Sequence, residues 1–252
     1  MPSPARKIQT SSILDALART YPDAHCELEF SNPLELLMAT ILSAQCTDVR
    51  VNQVTRVLFE RCRTAEEYAQ IPLDALEEII KPTGFYRSKA RHLKGCADAL
   101  VEKHGGAVPD SLESLTALPG VGRKTANVVL GDAFQKPAGI VVDTHVQRLA
   151  ERLGLSRNKA PEKIEQDLMR LIPREHWARL SHWLIWHGRR RCSARKPDCE
   201  NCELNALCPS ALKDASRIGR KPSKKKERSV TKATSAPRSA ARARGAASQL
   251  PG

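Results

Sequence analysis

LPGVGRKTA, residues 118–126, separates two stretches of helical period in the middle of the chain. Gly120 and Gly122 permit backbone conformations closed to other residues, so two helices can meet there in a tight hairpin. The amides of Gly120, Val121 and Gly122 would then lie at the positive end of the following helix. Backbone N–H groups in that place form a phosphate site that needs no side-chain charge. Lys124 falls in the first turn of the second helix, where the helix dipole disfavours a cation. Partial burial would act in the same direction, towards the neutral, nucleophilic amine. The plain alternative is a surface lysine touching phosphate. Asp143 opens Asp143-Thr144-His145-Val146 ahead of another amphipathic stretch. Its plain role is a helix N-cap that accepts backbone amide hydrogens.

Outward from the hairpin, nearly every readable segment has helical period. Ile13, Leu14 and Leu17 give an amphipathic stretch ending at Tyr21-Pro22, and Leu34 to Leu42 is a more continuously apolar run that suits a buried helix. Pro72 opens a segment carrying Leu73, Leu76, Ile79 and Ile80, which Pro82 and Gly84 close. Asp110 and Glu113 have capping-box spacing ahead of Leu115. Pro161 suits a first helical position before Ile164, Leu168, Leu171 and Ile172. Trp177, Trp183 and Trp186 share one further stretch that ends at Gly188. Only Ile140 to Val142 hints at a strand. The expected class is all-α, with roughly ten helices.

Cys192, Cys199, Cys202 and Cys208 stand with intervening gaps of six, two and five residues. Four thiolates so close in sequence can converge on one metal centre. Zinc sites usually offer two close pairs, and only Cys199 and Cys202 form such a pair here. Unequal gaps suit an iron–sulfur cubane, whose thiolates lie at the corners of a larger tetrahedron. Spacing alone leaves both open. Arg189, Arg190 and Arg191 lead into the cluster, and Arg195 and Lys196 lie inside its first gap. A loop pinned at both ends would hold these cations out towards phosphates, or they would simply offset the negative charge of the centre. The other four cysteines, Cys26, Cys46, Cys62 and Cys96, have no ligand-like spacing and read as small buried residues.

The 252 residues carry a formal net charge of +13. Residues 213–252 hold twelve Lys or Arg against Asp214 and Glu227, so the tail accounts for +10 and the rest for +3. Nucleic-acid contact by the folded body must therefore come from local placement of charge. From Lys213 onward Ala, Ser, Arg, Lys and Pro replace the apolar pattern, and that composition predicts a disordered basic tail. No secretory signal and no membrane span are read from the sequence. The cysteines then belong to a reducing compartment and not to a disulfide framework.

Taken together, these residues resemble the endonuclease III family of DNA glycosylases, within the helix-hairpin-helix superfamily. The resemblance runs from about Ser11 to Pro209. It rests on Leu42-Ser43-Ala44-Gln45, Gly84-Phe85-Tyr86, the hairpin, Val142-Asp143-Thr144-His145 and the spaced cysteines. It implies two helical domains flanking a DNA-binding groove: a six-helix domain with the helix-hairpin-helix over 24–135, and an iron–sulfur cluster domain over 136–212 joined by the N-terminal helix of 1–23. The tail, 213–252, lies outside it, and a nonspecific DNA tether is the role considered for it.

The resemblance further implies a 4Fe-4S cluster on Cys192, Cys199, Cys202 and Cys208. The implied partner is double-stranded DNA containing damaged bases or abasic sites, bound by a monomer. A cytoplasmic, nucleoid-associated location is expected, with a nuclear one left open. Lys124 would attack C1′ of a flipped, oxidised pyrimidine nucleotide, and Asp143 would activate it. The resulting Schiff base would lead to β-elimination on the 3′ side. Gln45 would fill the gap in the duplex and Phe85 would wedge the opposite strand; their plain roles are a polar helix position and a core aromatic. Two departures stand out. The family commonly has leucine in place of Phe85, and the interval from Lys124 to Asp143 is one residue longer than usual, around Gln135 to Gly139. A monofunctional adenine-mismatch glycosylase would lack Lys124, and a non-catalytic DNA-binding paralogue would have no need of both Lys124 and Asp143.

Overall fold

The computed structural model describes residues 4–211, with eleven α-helices and no strand among them. The basic tail and the tether considered for it lie outside the described residues.

Apolar side chains gather into two cores. The first runs from Leu28 to Leu130. Its centre is α2 (Pro33–Leu42), in which every residue from Leu36 to Leu42 is buried. Asn32 caps this helix by accepting from the Glu35 amide, and Pro33 at its first turn has no amide to satisfy. Around it pack α3 (Asp48–Arg61), α4 (Ala65–Gln70), α5 (Leu73–Ile80), α6 (Tyr86–His104), α7 (Leu112–Thr116) and α8 (Arg123–Val128). A true capping box starts α4, where Thr64 and Glu67 satisfy each other's amides. The second core joins α1 (Pro4–Thr20) to α9 (Thr144–Arg152), α10 (Pro161–Leu171) and α11 (Trp177–Arg190). Here α11 is central, with Leu180, Trp183 and Leu184 essentially inaccessible.

Two local expectations are corrected. Ser111, not Asp110, caps α7: its backbone is extended and its side chain accepts from the Ser114 amide. Asp110, one residue too early, pairs instead with Lys136 at 2.6 Å. Ile140 to Val142 forms no strand. The segment has no neighbour to pair with, and is tied down when Ser181 Oγ donates to the Val141 carbonyl at 3.1 Å.

The chain crosses between the cores twice, near Ala24 to Leu28 and again between Leu130 and Ile140. The second crossing follows directly from α8, which runs on into a π-helical turn, Val129–Ala133. Insertions of this type concentrate at functional sites. The two ends of this crossing carry Lys124 and Asp143.

Candidate functional site

The turn before α8 needs glycine at position 120 on two counts. Its φ is 77°, and a Cβ there would stand 2.7 Å from His92 Cβ. Leu118 and Val121 are buried and anchor the turn in the first core, and the Val121 amide donates to Leu118 O at 3.2 Å. Gly122 is the N-cap residue of α8, so the amides that follow it have no intrahelical acceptor. Lys124 is exposed, which corrects the expected partial burial. It has no ion pair or hydrogen bond among the described residues.

Asp143 caps α9 with extended backbone, and its Oδ1 accepts from the Val146 amide at 2.8 Å. Although nineteen positions separate them, Lys124 and Asp143 line one cavity of about 120 Å³ between the two cores. The longer interval therefore does not separate them. Between them runs a surface loop where Gln135 has φ 54° and Lys136 pairs with Asp110.

Three polar junctions frame this cavity. Arg123 grips Glu165 through two hydrogen bonds, of 2.7 and 3.0 Å, and Asn127 donates to the same carboxylate at 2.9 Å. Glu165 is only 5% exposed, and its carboxylate holds the Arg123 guanidinium above its ordinary range. Gly139, in the returning loop, lies so close that a Cβ would overlap Glu165 Oε1. Beyond the π turn, Asp132 meets His182 of α11 at 2.7 Å. At the mouth, Arg189 pairs with Asp48 at 2.8 Å and with Glu27. Cys26 also lines the cavity, and burial together with the Asp132 charge pushes its thiol up to about 12. Cys26 and Cys46 are half-buried, so the reading of the scattered cysteines as buried holds only for Cys62 and Cys96.

Gln45 and Phe85 lie outside any helix core. Both have left-handed backbone, with φ 52° and 49°. Phe85 is 69% exposed and Gln45 is exposed in the loop between α2 and α3. This overturns the plain alternatives of a core aromatic and a polar helix position. Such conformations cost about 1–3 kcal/mol each for non-glycine residues and cluster where binding needs them. Lys89 links the two turns: its ammonium donates to Thr83 O at 2.9 Å, and it interacts electrostatically with Cys46. Burial holds Lys89 below its ordinary range.

In the second core Cys192, Cys199, Cys202 and Cys208 line a cavity of about 220 Å³. Arg152 Nη1 donates to Cys192 Sγ at 3.1 Å, and His187 Nε2 lies 3.5 Å from Cys202 Sγ. Burial pushes His187 down to about 4 and, as the largest influence, Cys202 up to about 11. His187, Cys202 and Glu203 bring ligand atoms within 4.8 Å of one another, so the described residues do offer a metal-binding group here. Arg195 and Lys196 are exposed on the loop between the first two cysteines. Arg152 steadies that loop through the carbonyls of Ser193 (2.8 Å) and Ala194 (2.9 Å). Arg189 and Arg190 are exposed and Arg191 is half-buried, yet each of the three is engaged within the protein. Arg189 is engaged at the cavity mouth, Arg190 stacks 3.9 Å over the Trp186 ring, and Arg191 pairs with Asp198 and Glu203.

Comparison with known proteins gives this geometry a family. The model of the HhH-GPD superfamily of base excision DNA repair proteins matches residues 38–174. Endonuclease III of Synechocystis sp. is 50% identical over 207 residues, covering 82% of this chain and 94% of its own. Endonuclease III of Escherichia coli K12 is 43% identical, covering 80% and 95%. This chain belongs to the endonuclease III family. Among solved structures, a non-covalent endonuclease III–DNA complex superposes with a TM-score of 0.79 at 46% identity, covering 86% of this chain and all of that one. A trapped endonuclease III–DNA covalent intermediate gives the same score and identity. A thermostable thymine-DNA glycosylase at 23% identity shares the fold, with a TM-score of 0.76.

The span of this chain matched by the HhH-GPD model takes in the hairpin, Lys124 and Asp143, and stops short of Cys192, Cys199, Cys202 and Cys208. Among the described residues no helix is long and apolar enough to cross a membrane. Sequence reading missed Asn127, Asp132, Glu165 and His182, and read Arg189 as a cation leading into the cluster where it pairs with Glu27 and Asp48. Asn127 and Arg123 stand within or beside the hairpin run and could have been flagged by it; Glu165 and His182 carry no local signal.

Proposed function

We propose that this protein is a bifunctional DNA glycosylase and abasic-site lyase acting on oxidised pyrimidines in duplex DNA. The observation that carries the reading is the convergence of Lys124 and Asp143, from separate segments, on one cavity between the cores. A cavity of this kind admits a nucleotide only when it is turned out of the helix. Lys124 Nζ attacks C1′ of that nucleotide, the bond from C1′ to the base breaks, and the base departs with a proton. Opening of the sugar gives a Schiff base between Lys124 and C1′. Loss of a C2′ proton then expels the 3′ phosphate oxygen, cutting the strand on the 3′ side of the lesion, and water releases Lys124. Asp143 takes a proton from the lysine ammonium and offsets positive charge developing on the sugar. The trapped covalent intermediate of a relative supports this chemistry.

The two cores act as two domains, over 24–135 and over 136–212 with 1–23. Amides at Gly120 and Gly122 face a phosphate, whereas Val121, expected to do the same, holds the turn instead: its side chain is buried and its amide donates to Leu118 O. Arg195 and Lys196 meet phosphates from the cysteine loop. Gln45 enters the space vacated by the flipped nucleotide and Phe85 wedges the opposite strand. Phe85→Ala is expected to leave stability within about 1 kcal/mol of the starting value, since the lost ring is exposed and alanine keeps the same left-handed backbone. The same change weakens binding to an abasic-analogue duplex about tenfold by removing one stacking contact. Parallel denaturation and binding titrations check both.

The cysteine cavity fits a 4Fe-4S cluster. A single tetrahedral zinc ion needs little room between its four ligands, whereas the cavity that all four cysteines line measures about 220 Å³. The hydrogen bond from Arg152 to Cys192 also suits a bound thiolate. Cys192, Cys199, Cys202 and Cys208 would hold the cluster, which cross-links the loop bearing Arg195 and Lys196. Cys202→Ser is expected to lower iron from about four atoms per chain and to weaken DNA binding more than tenfold through loss of that loop. Iron analysis and binding titration read these effects.

The function is tested with a duplex carrying one thymine glycol. Strand cleavage without added alkali, leaving an unsaturated sugar on the 3′ end, is expected. Base loss with an intact strand would replace this reading with a monofunctional glycosylase.

A further inference from the structure

Asn127 stands one helical turn after Lys124 on α8 and lines the same cavity. It is 3% exposed, and its Oδ1 has no hydrogen-bond partner. The amide cannot turn over. Its Nδ2 donates to Glu165 Oε1 at 2.9 Å, and a carboxylate only accepts, so the opposite orientation would set oxygen against oxygen. Arg123 fixes Glu165 through both oxygens, and Gly139 closes the remaining side. Asn127, a residue of the cavity lining, therefore carries a fixed and unpaired acceptor. Buried carbonyls are nearly always paired, so an unpaired one beside a cavity marks the place of a donor.

Most other donors on that wall are committed. Thr40 and Ser43 donate to carbonyls of α2, Ser181 to Val141 O, His182 meets Asp132, and Arg189 holds Asp48 and Glu27. The Trp186 indole N–H is also unpaired, but its ring is packed between Arg190, Tyr21 and His25. Lys124 alone combines a flexible stem with an uncommitted amine.

We propose that, once the proton taken from the lysine ammonium has passed from Asp143 to solvent, Asn127 Oδ1 and Asp143 Oδ2 each accept one N–H of the neutral Lys124 amine, so that its lone pair is aimed at C1′. Asp143 Oδ1 is already held by the Val146 amide, which leaves Oδ2 for this task. A neutral primary amine has two hydrogens and one lone pair. Two acceptors fixed on opposite elements determine where the lone pair points. Asn127 is thus a positioning residue for the nucleophile, and the inference rests on the reading of Lys124 as that nucleophile.

The test uses the full chain, cluster loaded, under single-turnover conditions on an abasic-site duplex with borohydride present. Asn127→Ala is expected to slow covalent adduct formation about 30-fold while binding to an uncleavable abasic analogue stays unchanged. An unaltered adduct rate overturns the inference, as does a parallel fall of rate and binding, which would mark Asn127 as merely structural. If Asn127→Ala does not fold, Glu165→Gln decides by the same criteria, because it keeps the junction's shape and lets the Asn127 amide turn over. Lys124→Ala is run alongside. An adduct persisting in that variant strikes the reading of the nucleophile itself, whereas its loss together with an unaffected Asn127→Ala strikes this inference alone.

Discussion

Lys124→Ala will bind an abasic-analogue duplex nearly as tightly as the intact protein, yet will remove thymine glycol at least about 10³-fold more slowly, a loss of about 4 kcal/mol of transition-state stabilisation. The split between binding and rate follows from where the residue sits. Lys124 is exposed and its side chain makes no ion pair or hydrogen bond among the described residues, so its removal leaves no buried partner behind. Alanine is at least as good a helix former, so α8 and the hairpin keep their geometry. What disappears is the only atom placed to form the bond to C1′. A single positive charge near phosphate accounts for a small part of binding; the covalent step has no substitute. Single-turnover excision measured beside a binding titration separates the two. Equal losses in both would reduce Lys124 to a phosphate contact.

Gly139→Ala is expected to destabilise the protein by about 3 kcal/mol, although it adds one methyl group in a loop. The new Cβ would overlap Glu165 Oε1 and stand 2.8 Å from Asn127 Nδ2. Glu165 cannot step aside without breaking its paired hydrogen bonds to Arg123, and that leaves a buried charge unpartnered. Removing one partner of a buried ion pair costs about 3–5 kcal/mol. The same junction carries the start of α8, the returning loop and α10, so excision falls with stability. Gly122→Ala is the internal control. A Cβ there meets nothing within 4 Å and φ is −87°, so a loss within about 1 kcal/mol is expected. Denaturant titration of both variants checks the difference, and equal midpoints would remove the junction from the account.

The parts of this site that are legible in the sequence are those built by neighbours in sequence. The glycines of LPGVGRKTA announce a turn, Asp143 announces a cap, and four closely spaced cysteines announce a metal centre. Each feature is completed within a few residues, so pattern and spacing suffice. The parts that are not legible are made across long separations. Glu165 meets Arg123 from 42 residues away, and Arg189 meets Glu27 from 162. Nothing local distinguishes either from a solvated charge. At Phe85 local pattern leaves a core aromatic open and only the family resemblance points outward; in the structure Gly84 and Phe85 both take positive φ and the ring is exposed. The cap of α7 moved by one residue because Ser111 competes with Asp110 on equal chemical terms, and the direction of the chain decides between them.

The basic loops have the same lesson in reverse. A run of three arginines before Cys192 suggests a phosphate-facing patch, but each finds a partner inside the protein: carboxylates for Arg189 and Arg191, an indole face for Arg190. Charge counted along a sequence overstates charge offered to a ligand. Arg195 and Lys196 remain exposed because the loop that carries them is braced through its carbonyls by Arg152 and not through their own side chains.

The central claim is that Lys124 is the group that becomes covalently joined to DNA. The most direct measurement is borohydride reduction of the protein reacting with an abasic-site duplex, followed by proteolysis and mass-spectrometric location of the nucleotide adduct. The account predicts the adduct on the peptide containing Lys124. An adduct on another amine, such as Lys89, or no adduct from folded, cluster-loaded protein that binds the duplex, would contradict it.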